Sequence, residues 1–197
     1  MRSPGRCHLL MSPLMTPEEM AGWVTAAELQ ATEAFGSERR RLEYLSWRAL
    51  VRQHYGVALQ FAYNTLGAPY LVNHPEYHLS VSHTDDAVVV LVSEHRCGVD
   101  LERLDRRFRH IQTKYLTAEE ESLSDHPHFL AIAWCAKEAL YKYAGERALD
   151  FRRDLHLLAY DPEKGEGQLL AQIKDGEPLR LTVHLTDEQV LVYLIED

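Results

Sequence analysis

Gly98-Val99-Asp100-Leu101-Glu102 follows an apolar run, and its alternation of apolar and acidic residues reads as a β-strand. Residues two apart on a strand share a face, so Asp100 and Glu102 point the same way. Further on, Trp134-Cys135-Ala136-Lys137-Glu138-Ala139-Leu140-Tyr141-Lys142 reads as a helix, with Glu138 and Lys142 one turn apart on one face. Two carboxylates from a strand and one from a helix can hold a hard divalent cation. Magnesium takes oxygen ligands and commonly binds through a few carboxylates together with substrate phosphate oxygens. A lysine one turn beyond the helical acid would stand near such phosphates. On spacing alone, the same acids also read as an ordinary solvated strand face.

Composition narrows the classes. A chain of 197 residues suits one generous domain or two small halves packed closely. At 46% hydrophobic residues it can bury a sizeable core, and a net charge of −9 argues against non-specific nucleic-acid binding. Cys7, Cys97 and Cys135 are widely spaced without a CxxC pair, which points away from a zinc site or a disulfide framework and towards reduced thiols. Cys97 and Cys135 sit inside apolar patterns and read as core. Arg2 and Arg6 precede a short apolar stretch, Cys7 to Met15, which Ser12 and Pro13 interrupt, and no clear small-residue cleavage site follows. No apolar run approaches the roughly 18–20 residues needed to span a bilayer. The expectation is a cytoplasmic protein without a membrane association.

Taken in order, the chain reads helices, strands, helix, strands. His8 to Met11 suggests a short strand. Thr16-Pro17-Glu18-Glu19 is a helix start, with helical sequence to about Ala34. Ser37 to Gly56 is the strongest helix of the first half, with Leu42, Leu45, Trp47, Ala49 and Leu50 as its buried stripe. Arg41, Arg48 and Arg52 fall near one face of it. They read either as a solvated basic face or as a phosphate clamp, since guanidinium forks suit phosphate oxygens. His78 to His83 and Ala87 to Ser93 form a hairpin with His83 at its tip, and Cys97 to Glu102 is expected as the third strand of that meander.

Arg103 to Tyr115 follows as mixed helix or loop. It carries Arg103, Arg106, Arg107, Arg109, His110 and Lys114 against a single acid, Asp105, an anomaly in an acidic chain. This island is either a solvated face or a docking surface for an acidic partner. Thr117 to Glu120 is a capping box. His128 to Ala144 is the main helix of the second half, with Ile132, Ala136, Ala139, Leu140 and Tyr143 facing inward. The tail, Leu155 to Tyr160, Gln168 to Ile173, Leu179 to Leu185 and Val190 to Ile195, reads as an antiparallel meander. The fold class is α+β, helices packed on antiparallel sheets. Two runs suggest two similar halves, residues 1–94 and 95–197.

Val81-Ser82-His83-Thr84, Gly98-Val99-Asp100-Leu101-Glu102 and Trp134-Cys135-Ala136-Lys137-Glu138 with Lys142 resemble, in order and approximate spacing, the three signature blocks of the 4′-phosphopantetheinyl transferase superfamily. Tyr115-Leu116-Thr117 with Glu120 resembles the family's aromatic-bearing segment. Arg41 to Arg48 resembles the arginine-flanked helix of its longer, monomeric branch. The resemblance covers roughly residues 35–160.

It implies two α/β halves related by a pseudo-twofold, with the active site in the cleft between them. The implied activity is of holo-acyl-carrier-protein synthase type: the phosphopantetheine arm of coenzyme A moves onto a serine of an apo carrier protein, with release of adenosine 3′,5′-bisphosphate. Carried over residue by residue, Asp100, Glu102 and Glu138 would hold Mg2+. Ser82 and His83 would contact the nucleotide end of coenzyme A. Arg41 and Arg48 would touch its phosphates, and Lys142 the pyrophosphate. Glu138, directly or through a metal-bound water, is the candidate base, and Arg103 to Lys114 would dock the carrier. A monomer is expected. One departure stands out: many members carry Gly-Lys-Pro in the connector, where this chain has Gly67-Ala68-Pro69. Two rival readings share these residues, a non-catalytic binder of coenzyme A or a carrier, and a magnesium-dependent phosphohydrolase.

Overall fold

In the computed structural model, residues 6–162 and 166–196 are described, and Arg2 lies outside them. The chain divides into two compact units, Met1–His95 and Arg96–Asp197.

The first unit begins with strand β1 (Cys7–Pro13). Two short helices, α1 (Pro17–Met20) and α2 (Ala26–Thr32), each open on a capping box, Thr16 with Glu19 and Thr25 with Glu28. The long helix α3 (Glu38–Tyr55) starts at the Ser37 cap and stops at Gly56, whose φ of +104° lies where β-carbons are disfavoured. A small hairpin, β2 (Phe61–Tyr63) and β3 (Pro69–Leu71), precedes the larger one, β4 (His78–His83) and β5 (Ala87–Ser93). Strand β5 is buried along its whole length because it is the centre of a three-stranded sheet ordered β1-β5-β4. That explains its unbroken apolar run. Its valines Val88, Val90 and Val92 meet Trp47 and Val51 of α3 in one core.

The second unit is built on a five-stranded antiparallel sheet. Its strands are β6 (Cys97–Arg103), β7 (Leu155–Pro162), β8 (Glu166–Ile173), β9 (Leu179–Leu185) and β10 (Gln189–Ile195), ordered β6-β10-β9-β8-β7. The expected meander is therefore present as β7 to β10. The place expected for Cys97 to Glu102 is corrected. It pairs not with the preceding hairpin but with β10, in the register Asp100↔Val192 and Glu102↔Val190. The open edge of β5 is filled by β1 instead, with Leu10 opposite Val90. At Glu94-His95-Arg96 the chain passes from one unit to the other.

Helix α4 (Ala118–Glu121) is one capped turn, and helix α5 (Phe129–Ala144) lies against β6 and β10. The five residues expected to face inward on α5 are all buried, and so are Ala131, Ala133, Cys135 and Lys137. Trp134, Glu138, Tyr141 and Lys142 form its half-buried stripe. Gly145 closes the helix at φ +60°, in the left-handed region. The α+β class with antiparallel sheets holds. Among the described residues, no helix is long and apolar enough to cross a membrane.

Candidate active site

Strand β6 brings Gly98, Asp100 and Glu102 to one face, and α5 covers that face. The covering is close because Gly98 has no side chain. A β-carbon there would collide with the carbonyl oxygen of Ala139 and stand 2.9 Å from Cβ of Tyr143. The helix backbone thus rests on Gly98, while the next two residues of that face, both acids, meet the half-buried stripe of α5.

Each acid has a different environment. Asp100 is 4% exposed. Its Oδ1 accepts a hydrogen bond from Nζ of Lys142 at 2.7 Å, and the same ammonium donates to the carbonyl of Val99 at 3.0 Å. Glu102 accepts from Nε1 of Trp134 at 2.7 Å and is ion-paired to Arg106. Arg106 lies over the Trp134 ring, 5.0 Å from its centroid. Glu138 has no hydrogen-bond or ion-pair partner among the described residues.

Burial and then the charge of Asp100 push the Glu138 carboxyl up to about 7. The same two causes, burial first, raise Glu102 as well, although Arg106 and Trp134 oppose them. Among the described residues these three carboxyl groups have two paired cations, Lys142 on Asp100 and Arg106 on Glu102, and Glu138 is the one left unpaired. The side chains are near enough to couple, yet among the described residues no three His, Cys, Asp or Glu groups converge as a ready metal site. Asp100 and Glu102 are turned onto Lys142 and Arg106.

The helix also has a second charged side, which the sequence reading did not single out. Lys137, next to Glu138, is 0% exposed. Its Nζ donates to Oε2 of Glu120 at 2.8 Å and to the carbonyl of Phe151 at 2.7 Å. Glu120 in turn accepts from the backbone N–H of Thr117 and of Leu157, both at 2.9 Å. One buried carboxylate thus caps α4, neutralises Lys137 and pins β7. Tyr115, fully buried, packs edge-on to Trp134 at 5.1 Å and donates its hydroxyl to the carbonyl of Leu130 at 2.9 Å. Cys135 is buried, and burial lifts its thiol well above the ordinary range, which keeps it unreactive.

The basic island folds as two 3-10 turns, Phe108–His110 and Gln112–Lys114. Phe108 anchors it in the core, while Arg107, Arg109, His110 and Lys114 are exposed. Arg103 pairs with Asp105 at 2.9 Å.

In the first unit the predicted residues separate. Arg48 is 2% exposed and committed inside the fold. Its guanidinium donates to the carbonyl of Tyr44 at 2.6 Å and to the hydroxyl of Tyr63 at 2.9 Å, stacks on the Tyr44 ring at 3.3 Å, and faces Glu28. Arg52 is held similarly, by Glu28 at 2.7 Å. Arg41 is exposed, with a long contact of 3.4 Å to the carbonyl of Phe35. Ser82 is buried on β4, and the adjacent His83 is exposed. The arginine linked to His83 is Arg39. Both meet the carboxylate of Glu43, Arg39 at 3.3 Å and His83 at 3.5 Å, and Arg39 reaches Asp85 at 2.5 Å. The pair Arg39 and Glu43, four apart on α3, was the sequence signal for this cluster. Ala68 stands at the end of the β2–β3 turn, its N–H bonded to Oδ1 of Asn64 at 3.0 Å.

Comparison with known proteins supplies the family. A 4′-phosphopantetheinyl transferase of Bacillus subtilis is 24% identical over 152 residues, covering 72% of this chain and 66% of that protein. The chain thus matches just under two thirds of that relative's length. The family profile described as the 4′-phosphopantetheinyl transferase superfamily matches residues 96–194, which coincide with the unit that carries β6, α5 and the acid cluster. On that match over half of its length, the chain belongs to the 4′-phosphopantetheinyl transferase superfamily.

Proposed function

We propose that the protein transfers the phosphopantetheine arm of coenzyme A to a serine hydroxyl of an apo carrier protein, in a magnesium-dependent reaction. The observation that carries this reading is the under-neutralised cluster of Asp100, Glu102 and Glu138 on a unit with the family's profile. The donor set fits the metal: three hard oxygen ligands, and a carboxyl raised to about 7 by burial and by the neighbouring charge of Asp100. Asp100, Glu102 and Glu138 would hold the ion, which when bound supplies positive charge against the pyrophosphate oxygens.

The chemistry is assigned to this chain's own side chains. The serine oxygen attacks the β-phosphorus of coenzyme A, and a new P–O bond forms as the bridging P–O bond breaks. The electron pair of the broken bond leaves with adenosine 3′,5′-bisphosphate. Lys142, held beside the acids by Asp100 and the Val99 carbonyl, adds positive charge where the leaving phosphate gains negative charge. Glu138, the half-buried acid of the cluster that has no ion-pair partner among the described residues, is assigned the serine proton. Ser82, His83 and Arg41 are assigned to the nucleotide end of coenzyme A. Arg39 joins them through Glu43. Arg48 is left out, because its guanidinium is already satisfied within the fold. The exposed Arg107, Arg109 and Lys114 are assigned to an acidic carrier surface. A cytoplasmic monomer is the working state.

The test incubates the protein with Mg2+, coenzyme A and apo carrier proteins of several classes and reads intact mass. A carrier that gains the phosphopantetheine mass, with no gain from Asp100→Ala, supports transfer. No gain on any carrier, or phosphate release without a carrier, contradicts it.

A further inference from the structure

Among the cations around the acid cluster, Arg106 differs from Lys142 in how it is held. Lys142 is anchored twice, on Asp100 and on the Val99 carbonyl, and its side chain is 26% exposed. Arg106 is 44% exposed and holds a carboxylate, Glu102, that is only 15% exposed. Its other contacts are the ring faces of Trp134 at 5.0 Å and Phe108 at 5.4 Å. Its guanidinium has no further hydrogen-bond partner among the described residues. Buried Phe108, two residues on, fixes the backbone here, so the Arg106 side chain can leave Glu102 without moving the segment.

From this geometry we infer that Arg106 is a built-in competitor of the metal: it occupies Glu102 in the metal-free protein and must be displaced when a divalent cation binds there. A guanidinium and a divalent cation on one carboxylate repel each other, so what the protein gains from the pair is lost from metal affinity. Trp134 supports the exchange. It keeps donating its indole N–H to Glu102, which holds the carboxylate at the site after the arginine departs. Arg106 therefore sets the magnesium concentration at which the site fills, a role separate from that of the neighbouring island arginines. This inference rests on the proposed metal-dependent reading.

The experiment is a calorimetric titration of the purified protein with Mg2+ at low ionic strength, without coenzyme A or carrier. Arg106→Gln is compared with Arg107→Gln, which removes the same charge one residue away. Arg106→Gln is expected to bind Mg2+ about fivefold more tightly than the wild type, and Arg107→Gln within about twofold of it. A merely structural arginine would leave affinity unchanged or weaken it. Saturable wild-type binding with the two variants alike overturns this inference alone. No saturable binding by the wild type overturns the metal reading and this inference with it.

Discussion

Lys137 and Glu138 are neighbours on α5, yet they serve opposite sides of the helix. On one side Lys137 and Glu120 form a buried pair in which every charge is answered, by each other, by the Phe151 carbonyl and by the N–H groups of Thr117 and Leu157. On the other side, among the described residues, three carboxyl groups share two paired cations, and Glu138 is paired with neither. A buried ion pair that is fully hydrogen-bonded has no capacity left for a ligand, whereas an under-neutralised cluster gains from a cation arriving. The Lys-Glu dipeptide therefore divides into a half satisfied within the fold and a half to which the proposed chemistry is assigned.

Substitutions can break this division. Glu138→Gln should cost transfer activity about a thousandfold or more and leave the melting temperature equal to or above that of the wild type, because it relieves repulsion. A lower melting temperature would mean that Glu138 supports the fold. Lys137→Met should do the reverse. It strands Glu120 in the core and should cost about 3–5 kcal/mol of stability, read by denaturant unfolding, with part recovered in the double variant that adds Glu120→Gln. Little change in Lys137→Met would remove the structural half of the comparison.

The pH dependence sharpens it. Glu138 holds its proton to about pH 7 in the folded chain, against about 4.5 when unfolded, so between these values the folded state binds more protons. The Glu138 contribution to the stability of the metal-free protein should be fully present below about pH 4.5 and be lost as pH rises towards 7, by roughly 2–3 kcal/mol. Glu138→Gln should flatten that slope, and an unchanged slope in the variant would assign it elsewhere. Gly98→Ala is the smallest intervention. Its methyl group presses on the Ala139 carbonyl and Tyr143, should cost about 1–3 kcal/mol, and should weaken Mg2+ binding by shifting α5 from the acids. Unaltered stability would show that the close approach is not required.

Local signals were readable and long-range ones were not. Thr16, Ser37 and Thr117 as caps, Gly56 and Gly145 as stops, and the β7–β10 alternation all lie within a few residues of what they determine. The partners of β1 and β6 do not. Strand pairing is a register between distant segments, and adjacency in sequence suggested the wrong neighbour for β6. In the site, the acids were visible from spacing and from family resemblance. What they touch was hidden, because Arg106 on Glu102 and Lys142 on Asp100 are rotamer choices made by packing. Arg48 teaches the same lesson. Its spacing from Arg41 suggested a shared surface role, and only Glu28, from a different helix, together with Tyr44 and Tyr63, accounts for its burial.

The most direct measurement follows the melting temperature of the wild type, Lys137→Met and Glu138→Gln against Mg2+ concentration at pH 8. A ligand at free concentration L that binds only the folded state raises its stability by RT ln(1 + L/Kd), so the rise continues as ligand concentration exceeds Kd. The account predicts the same magnesium-dependent rise for the wild type and for Lys137→Met, despite the lower starting point of the latter, and little or none for Glu138→Gln. An equal rise in Glu138→Gln would contradict it.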